Sequence, residues 1–272
     1  MKSFKSFGIA LLVILVALGG RAAADGAVFV NKGNTSGNED GTSWATAFTT
    51  IRAGLDAAIA GGQTEVWVAG ARYDELRPNS GKLILQSGIS LFGGFAGTET
   101  ARDQRDPAAH NTIIDGTTSN DGGTQTTQVV KGASNLTFDG FTVTGGHGDR
   151  GAGMMNDGPS DNIQGLVVSN CVFTGNLANE HGGGMYNAAP CEVVISHCTF
   201  TVNQATRGGG GMWNDSCSPV VTDCEFDTNL QKLLTSRSVK LRRNKKCWEG
   251  SSQIAKLFAN PFCESLTMHD VK

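Results

Sequence analysis

Residues 182–187 read GGGMYN, and the same phrase occurs as GAGMMN at 151–156 and GGGMWN at 209–214. Each copy is answered downstream by Cys-x-Phe-x-x-Asn: Cys171-Phe173-Asn176, Cys198-Phe200-Asn203 and Cys224-Phe226-Asn229. The cysteines step by 27 and 26 residues, and Asn156, Asn187 and Asn214 by 31 and 27. A period in this range marks stacked repeats. One such unit is too small to bury an apolar face alone, so the units must pack on one another.

Within each unit the apolar residues alternate. Leu166, Val168, Cys171 and Phe173 are followed by Val193, Ile195, Cys198 and Phe200, then by Pro219, Val221, Cys224 and Phe226. Leu136, Phe138, Phe141 and Val143 form an earlier copy at an offset of 30. Short period-two runs are strands with one face inward. Ser169-Asn170, Ser196-His197 and Thr222-Asp223 between them are turn residues. No helical period runs between Gly62 and Asn229. Gly-rich phrases exclude a helical solenoid, and the period is too short for propeller blades. The expected fold is an all-β, right-handed parallel β-helix. Met154-Met185-Met212, Phe173-Phe200-Phe226 and Cys171-Cys198-Cys224 should form inward rows, with the asparagines serving turns. Cys191 and Cys217, also 26 apart, fall at a turn; they either bridge adjacent coils or stay apart.

Before the coils, Phe48, Ile51, Leu55 and Ile59 lie on one face of a helix closed by Gly61-Gly62. A solenoid must cover its end, so this short helix is the expected N-terminal cap. Residues 25–62 are then the capping segment and 63–229 the coils, with strands at 66–68, 89–92 and 113–114. Lys2 and Lys5, an apolar run from Ile9 to Leu18 and Ala22-Ala23-Ala24 describe a cleaved signal peptide over 1–24. That run is shorter than the roughly 20 residues needed to span a bilayer, so the expectation is an exported chain, secreted or at the cell surface, with no integral membrane segment. Residues 25–229 carry a net charge of −12, and residues 230–272 carry +6. An acidic body argues against nucleic acid. The basic tail over 230–272 is either a cap or interaction tail, or a stretch where the repeat frame was lost. It holds one of the 37 glycines.

The stretch from Val28 through DGTSWATAF, EVWVAGARYDE, GISLFGGFAGTET, RDQRDPAAHNTIIDG and the later coils resembles secreted bacterial right-handed parallel β-helix proteins of the pectate-lyase-like superfamily. Its GGGM and FxxN phrases also resemble the GGA(I/L)/FxxN repeats of chlamydial polymorphic outer-membrane proteins, with Met in place of Ile or Leu. The resemblance implies fold and export. It leaves function open, because such proteins include adhesins, surface proteins and polysaccharide-degrading enzymes.

Lyases on this fold imply calcium-holding carboxylates and a basic residue that takes the proton. Here Asp139 is followed at the equivalent position by Ser169, Ser196 and Thr222, so no carboxylate row forms and calcium has no support. Asp223, His197 and Asn170 read as solvated turn residues. The chain contains no Asp-Asp pair, metal-ligand spacing, nucleophile elbow or phosphate loop. No catalytic residue, metal ligand or cofactor is assigned. The candidate site is lateral. With Met154, Met185 and Met212 inward, Met155, Tyr186 and Trp213 point outward, and Arg150, His181 and Arg207 precede them. Aromatic faces beside hydrogen-bonding groups suit a polysaccharide or cell-surface glycan; the alternative is a lateral row covered by a loop or simply exposed, with no ligand. The expected function is a non-catalytic, exported, polysaccharide-binding or adhesive protein; the alternative is a polysaccharide lyase or glycoside hydrolase whose active coils lie beyond residue 229.

Overall fold

The computed structural model describes residues 26–157, 163–188, 191–233 and 240–243. The expected signal peptide over 1–24 lies outside them, as does most of the basic tail. The described residues form an all-β parallel solenoid with four walls. A seven-stranded sheet collects Ala27–Val30, Glu65–Ala69, Ser90–Phe95, Leu136–Asp139, Ile163–Ser169, Cys191–Ser196 and Val220–Thr222. A six-stranded wall, ending in Phe141–Thr144, Val172–Thr174, Thr199–Thr201 and Glu225–Asp227, follows it around each turn. Then come the wall of His147–Arg150, Leu177–His181, Gln204–Ala205 and Leu230–Leu233, and the wall holding Met154–Asn156, Met185–Ala188 and Met212–Asp215.

Register follows the repeat. Met154 pairs with Met185 and Met185 with Met212, and Phe173 pairs with Phe200 and Phe200 with Phe226. The phenyl rings stack face to face at centroid distances of 4.9 and 4.7 Å, the separation set by neighbouring strands. The cysteine row forms at the corner entering the six-stranded wall. Cys171 and Cys198 are buried, Cys224 is half-buried, and all three are free thiols. Cys191 and Cys217 are joined by a disulfide that ties adjacent coils together.

The corners depend on left-handed backbone. One column is Gly140, Asn170, His197 and Asp223; a second is Gly145, Gly175, Val202 and Thr228, all at positive φ. At the second corner the buried amides of Asn176, Asn203 and Asn229 form a ladder. Asn203 Nδ2 donates to Phe173 O (2.8 Å) and to Asn229 Oδ1 (3.0 Å), while its own Oδ1 accepts from Asn176 N and Nδ2 (3.2 and 3.0 Å). The side chains thus satisfy backbone groups that the turn leaves unpaired. Val202 is the misfit in its column: a β-branched residue at φ 58°, 49% exposed, where two earlier coils have glycine. A left-handed non-glycine residue costs about 1–2 kcal/mol, and glycine loses about 0.5–1 kcal/mol of unfolded-chain entropy. Val202→Gly is therefore expected to raise stability by about 0.5–1 kcal/mol in a urea titration, and a loss would show that Val202 makes a contact worth more than its strain.

The capping helix is Ile51–Gly61, started by Thr50, whose side chain accepts from Ala53 N, and ended by Gly62 at φ 71°. It buries Ile51, Gly54, Leu55 and Ala58, while Ile59 is 51% exposed. Each step of four residues rotates about 40° past a full turn, so the expected 51-55-59 face drifts off the core and Ala58 takes its place. Phe48 precedes the helix and bridges to Val30 instead. The expected capping segment also contributes a strand, because Ala27–Val30 pairs in parallel with Glu65–Ala69. At the other end, Leu230–Leu233 adds one more parallel rung onto Gln204–Ala205, and Lys240–Arg243 returns antiparallel to it. The ordered stack thus continues past residue 229. Among the described residues no helix is long and apolar enough to cross a membrane.

Candidate functional site

The lateral residues converge across three coils. Gly151, Gly182 and Gly209, each in left-handed conformation, turn the chain from one wall into the methionine wall. The residues before these glycines, Arg150, His181 and Gly208, pair with one another in register. Arg207 is therefore not the third member of an Arg-His-Arg column. It lies one residue earlier, with its backbone N–H donating to Glu180 O (2.8 Å).

The side chains are linked through that acid. Glu180 accepts from Arg150 Nε on one oxygen (3.0 Å) and pairs with Arg207 Nη1 on the other (2.8 Å). The hydrogen bond from Arg150 holds the Glu180 carboxyl below the usual carboxylate range and raises the guanidinium in return. Glu180 thus spends both oxygens on two cations from neighbouring coils.

Tyr186 and Trp213 are in register, as the repeat requires, but their rings do not form the expected two-ring platform. Each ring leans over the preceding coil. Tyr186 lies against Arg150, whose guanidinium is 5.7 Å from the ring centroid, and Trp213 stacks on His181 at 4.3 Å. Trp213 reaches His181 because Gly208 has no side chain; a Cβ there would sit 2.6 Å from the indole. Tyr186 is 2% exposed, and its hydroxyl donates to Asp215 Oδ2 (2.7 Å). Burial, with Asp215 adding to it, pushes the phenol up to about 12. Burial first, and the two neighbouring guanidiniums with it, hold His181 below its ordinary value against the pull of Glu180. His181 Nδ1 is a buried atom without a hydrogen-bond partner.

The five predicted residues are therefore one cluster, with a buried half (the Tyr186 ring, whose hydroxyl bonds to the exposed Asp215) and a half-exposed half (Trp213–His181) flanked by the more exposed Arg150 and Arg207. Glu180 and Asp215 are the connectors that sequence reading did not assign. Their signal was position: Glu180 stands two residues before the first glycine of its phrase, and Asp215 directly follows the asparagine of the next.

A second feature lies on the outer face of the long sheet. There Phe29, Trp67, Phe92 and Phe95 form an apolar cluster with Trp44. Arg102 and Arg105 cover Phe92. Beside that covering segment is an open groove of ≈ 550 Å³ whose lining includes Arg102, Arg105, Asp106, Asn170, His197 and Thr199. Both guanidiniums are already paired, Arg102 with Glu65 (2.5 Å) and Arg105 with Asp139. Asp139 also accepts from Ser169 Oγ (2.5 Å) and Asn170 Nδ2 (2.8 Å). Among the described residues no group of three or more His, Cys, Asp or Glu side chains is placed to hold a metal ion.

These features define a parallel β-solenoid with asparagine and phenylalanine ladders inside and a polar-aromatic cluster on one lateral edge. No protein-family model, curated protein or solved structure matches the chain.

Proposed function

We propose that this chain is an exported, non-catalytic β-helix protein that binds a polysaccharide or cell-surface glycan through the lateral cluster. The observation that carries the reading is the convergence of Arg150, His181, Arg207 and Trp213 around Glu180, on coils stacked by the repeat itself. A half-exposed indole offers a face for the apolar side of a sugar ring, and the flanking guanidiniums offer donors to hydroxyl groups. Export is supported by the basic and apolar start of the chain and by the Cys191–Cys217 disulfide, a bond that persists in oxidising compartments. The non-catalytic reading is supported by the engagement of the buried acids. Asp139 is held by Arg105, and Asp115 by Arg72 and Thr117.

The test is a glycan array probed with the full chain. Trp213→Ala is expected to weaken the best signal about tenfold, the loss of a ring contact worth roughly 1.4 kcal/mol. Tyr186→Phe, in the buried half, should leave the signal in place. An array unchanged by Trp213→Ala combined with Arg207→Ala would remove the lateral face from the reading. Release of unsaturated or reducing ends from a polymer would replace it with the enzyme alternative.

A further inference from the structure

The disulfide and the thiol row sit on the same pair of strands. Cys191 and Cys198 flank the strand Cys191–Ser196, and Cys217 and Cys224 flank the strand Val220–Thr222 one coil further on. Both pairs share a separation of 26 residues, because both obey the same repeat. The strands between them are in register, with Ile195 opposite Val221 and Ser196 opposite Thr222, and the next pairs are Thr199 with Glu225 and Phe200 with Phe226. Cys198 is therefore opposite Cys224 just as Cys191 is opposite Cys217, whose Cα atoms are 5.5 Å apart, within the range a disulfide spans. Cys224 Sγ already sits against Cys198, whose backbone N–H donates to it (3.4 Å). The third thiol, Cys171, lies on the far side of Cys198 and is buried.

We propose that Cys198 and Cys224 form a second disulfide between the coils already joined by Cys191–Cys217, so that the last full coil among the described residues is clamped at both ends of one strand. Exposure selects the pair. Cys224 is the half-buried member of the row, while Cys171 and Cys198 are buried. A low-molecular-weight disulfide is the oxidant. The Cys224 thiolate attacks one of its sulfurs, and one small thiol leaves. The Cys198 thiolate then attacks Cys224 Sγ, expels the second small thiol and closes the bond. Two protein thiols are oxidised, and the small disulfide is reduced to two thiols. The thiolate is the attacking species. Contact with Cys198 followed by burial pushes the Cys224 thiol up, and contact with Cys171 together with burial raises Cys198. Closure is therefore slow at neutral pH and faster as pH rises.

The experiment treats the folded full chain with oxidised glutathione from pH 7 to 9. The protein is then unfolded in alkylating reagent and its peptides are mapped by mass spectrometry. The expected result is a Cys198–Cys224 linked peptide whose rate of formation climbs with pH, with Cys171 alkylated and the urea midpoint raised. Cys171→Ser should retain the link and the midpoint shift; Cys224→Ser should abolish both. Four outcomes would overturn the proposal: both thiols remaining alkylatable while Cys191–Cys217 stays intact, a Cys171–Cys198 link in the wild type, a lasting glutathione adduct at Cys224 without closure, or links to Cys247 or Cys263 in place of this one.

Discussion

Phe200→Ala is expected to destabilise the solenoid by about 3–5 kcal/mol in a urea titration, the usual cost of deleting a buried aromatic. Phe200 is 0% exposed, and its ring is held on both faces, by Phe173 on one coil and Phe226 on the next. The fixed spacing of the strands leaves the neighbouring rings little freedom to close the gap, which places the cost toward the upper part of that range. A loss below about 1 kcal/mol would show that the row is not core.

Asn203→Ala should cost nearly as much for a different reason. The residue is fully buried, and its amide serves three elements at once. Truncation leaves the carbonyl of Phe173 and the backbone N–H of Asn176 without their partners and breaks the amide ladder on both sides. A buried polar group stranded in this way costs about 1–3 kcal/mol, and two are stranded here, so a loss of about 2–6 kcal/mol is expected from the same titration. Asn203→Ala combined with Asn229→Ala should cost less than the sum of the single changes, because the two amides share one network. Strict additivity would show that each asparagine acts only on its own turn.

The contrast between these residues and the lateral cluster shows what a repeat encodes. An inward side chain in a parallel stack has its copies directly above and below it. Reading Met154, Met185 and Met212, or Phe173, Phe200 and Phe226, off the period was therefore equivalent to reading contacts. An outward side chain has no such constraint. Tyr186 and Trp213 occupy equivalent backbone positions, yet one is covered and the other half-exposed, because each leans over whatever the preceding coil presents: Arg150 in one case, His181 in the other. That direction is set by rotamer and neighbour, and alternation alone does not contain it. The same limit hid the outer aromatic cluster. Glu65–Ala69 is buried on both faces, since Trp67 packs outward under a covering loop while Val66 and Val68 face the core. A strand buried on both sides shows no alternation to read. The first strand, Ala27–Val30, was missed because it lies outside the repeat and is separated from its partner strand by the capping helix.

The Cys191–Cys217 bond also has a mechanical meaning. A chain wound with each coil gripping only its neighbours can be peeled one rung at a time by tension on its ends. A covalent tie between two rungs takes the chain between them out of the load path. With 26 residues in the closed loop, about 90 Å of extensible length is withheld at roughly 3.5 Å per residue. Peeling from the C-terminal side would run to that tie, and the load would then cross the bond to Cys191, leaving the chain between the two cysteines unextended.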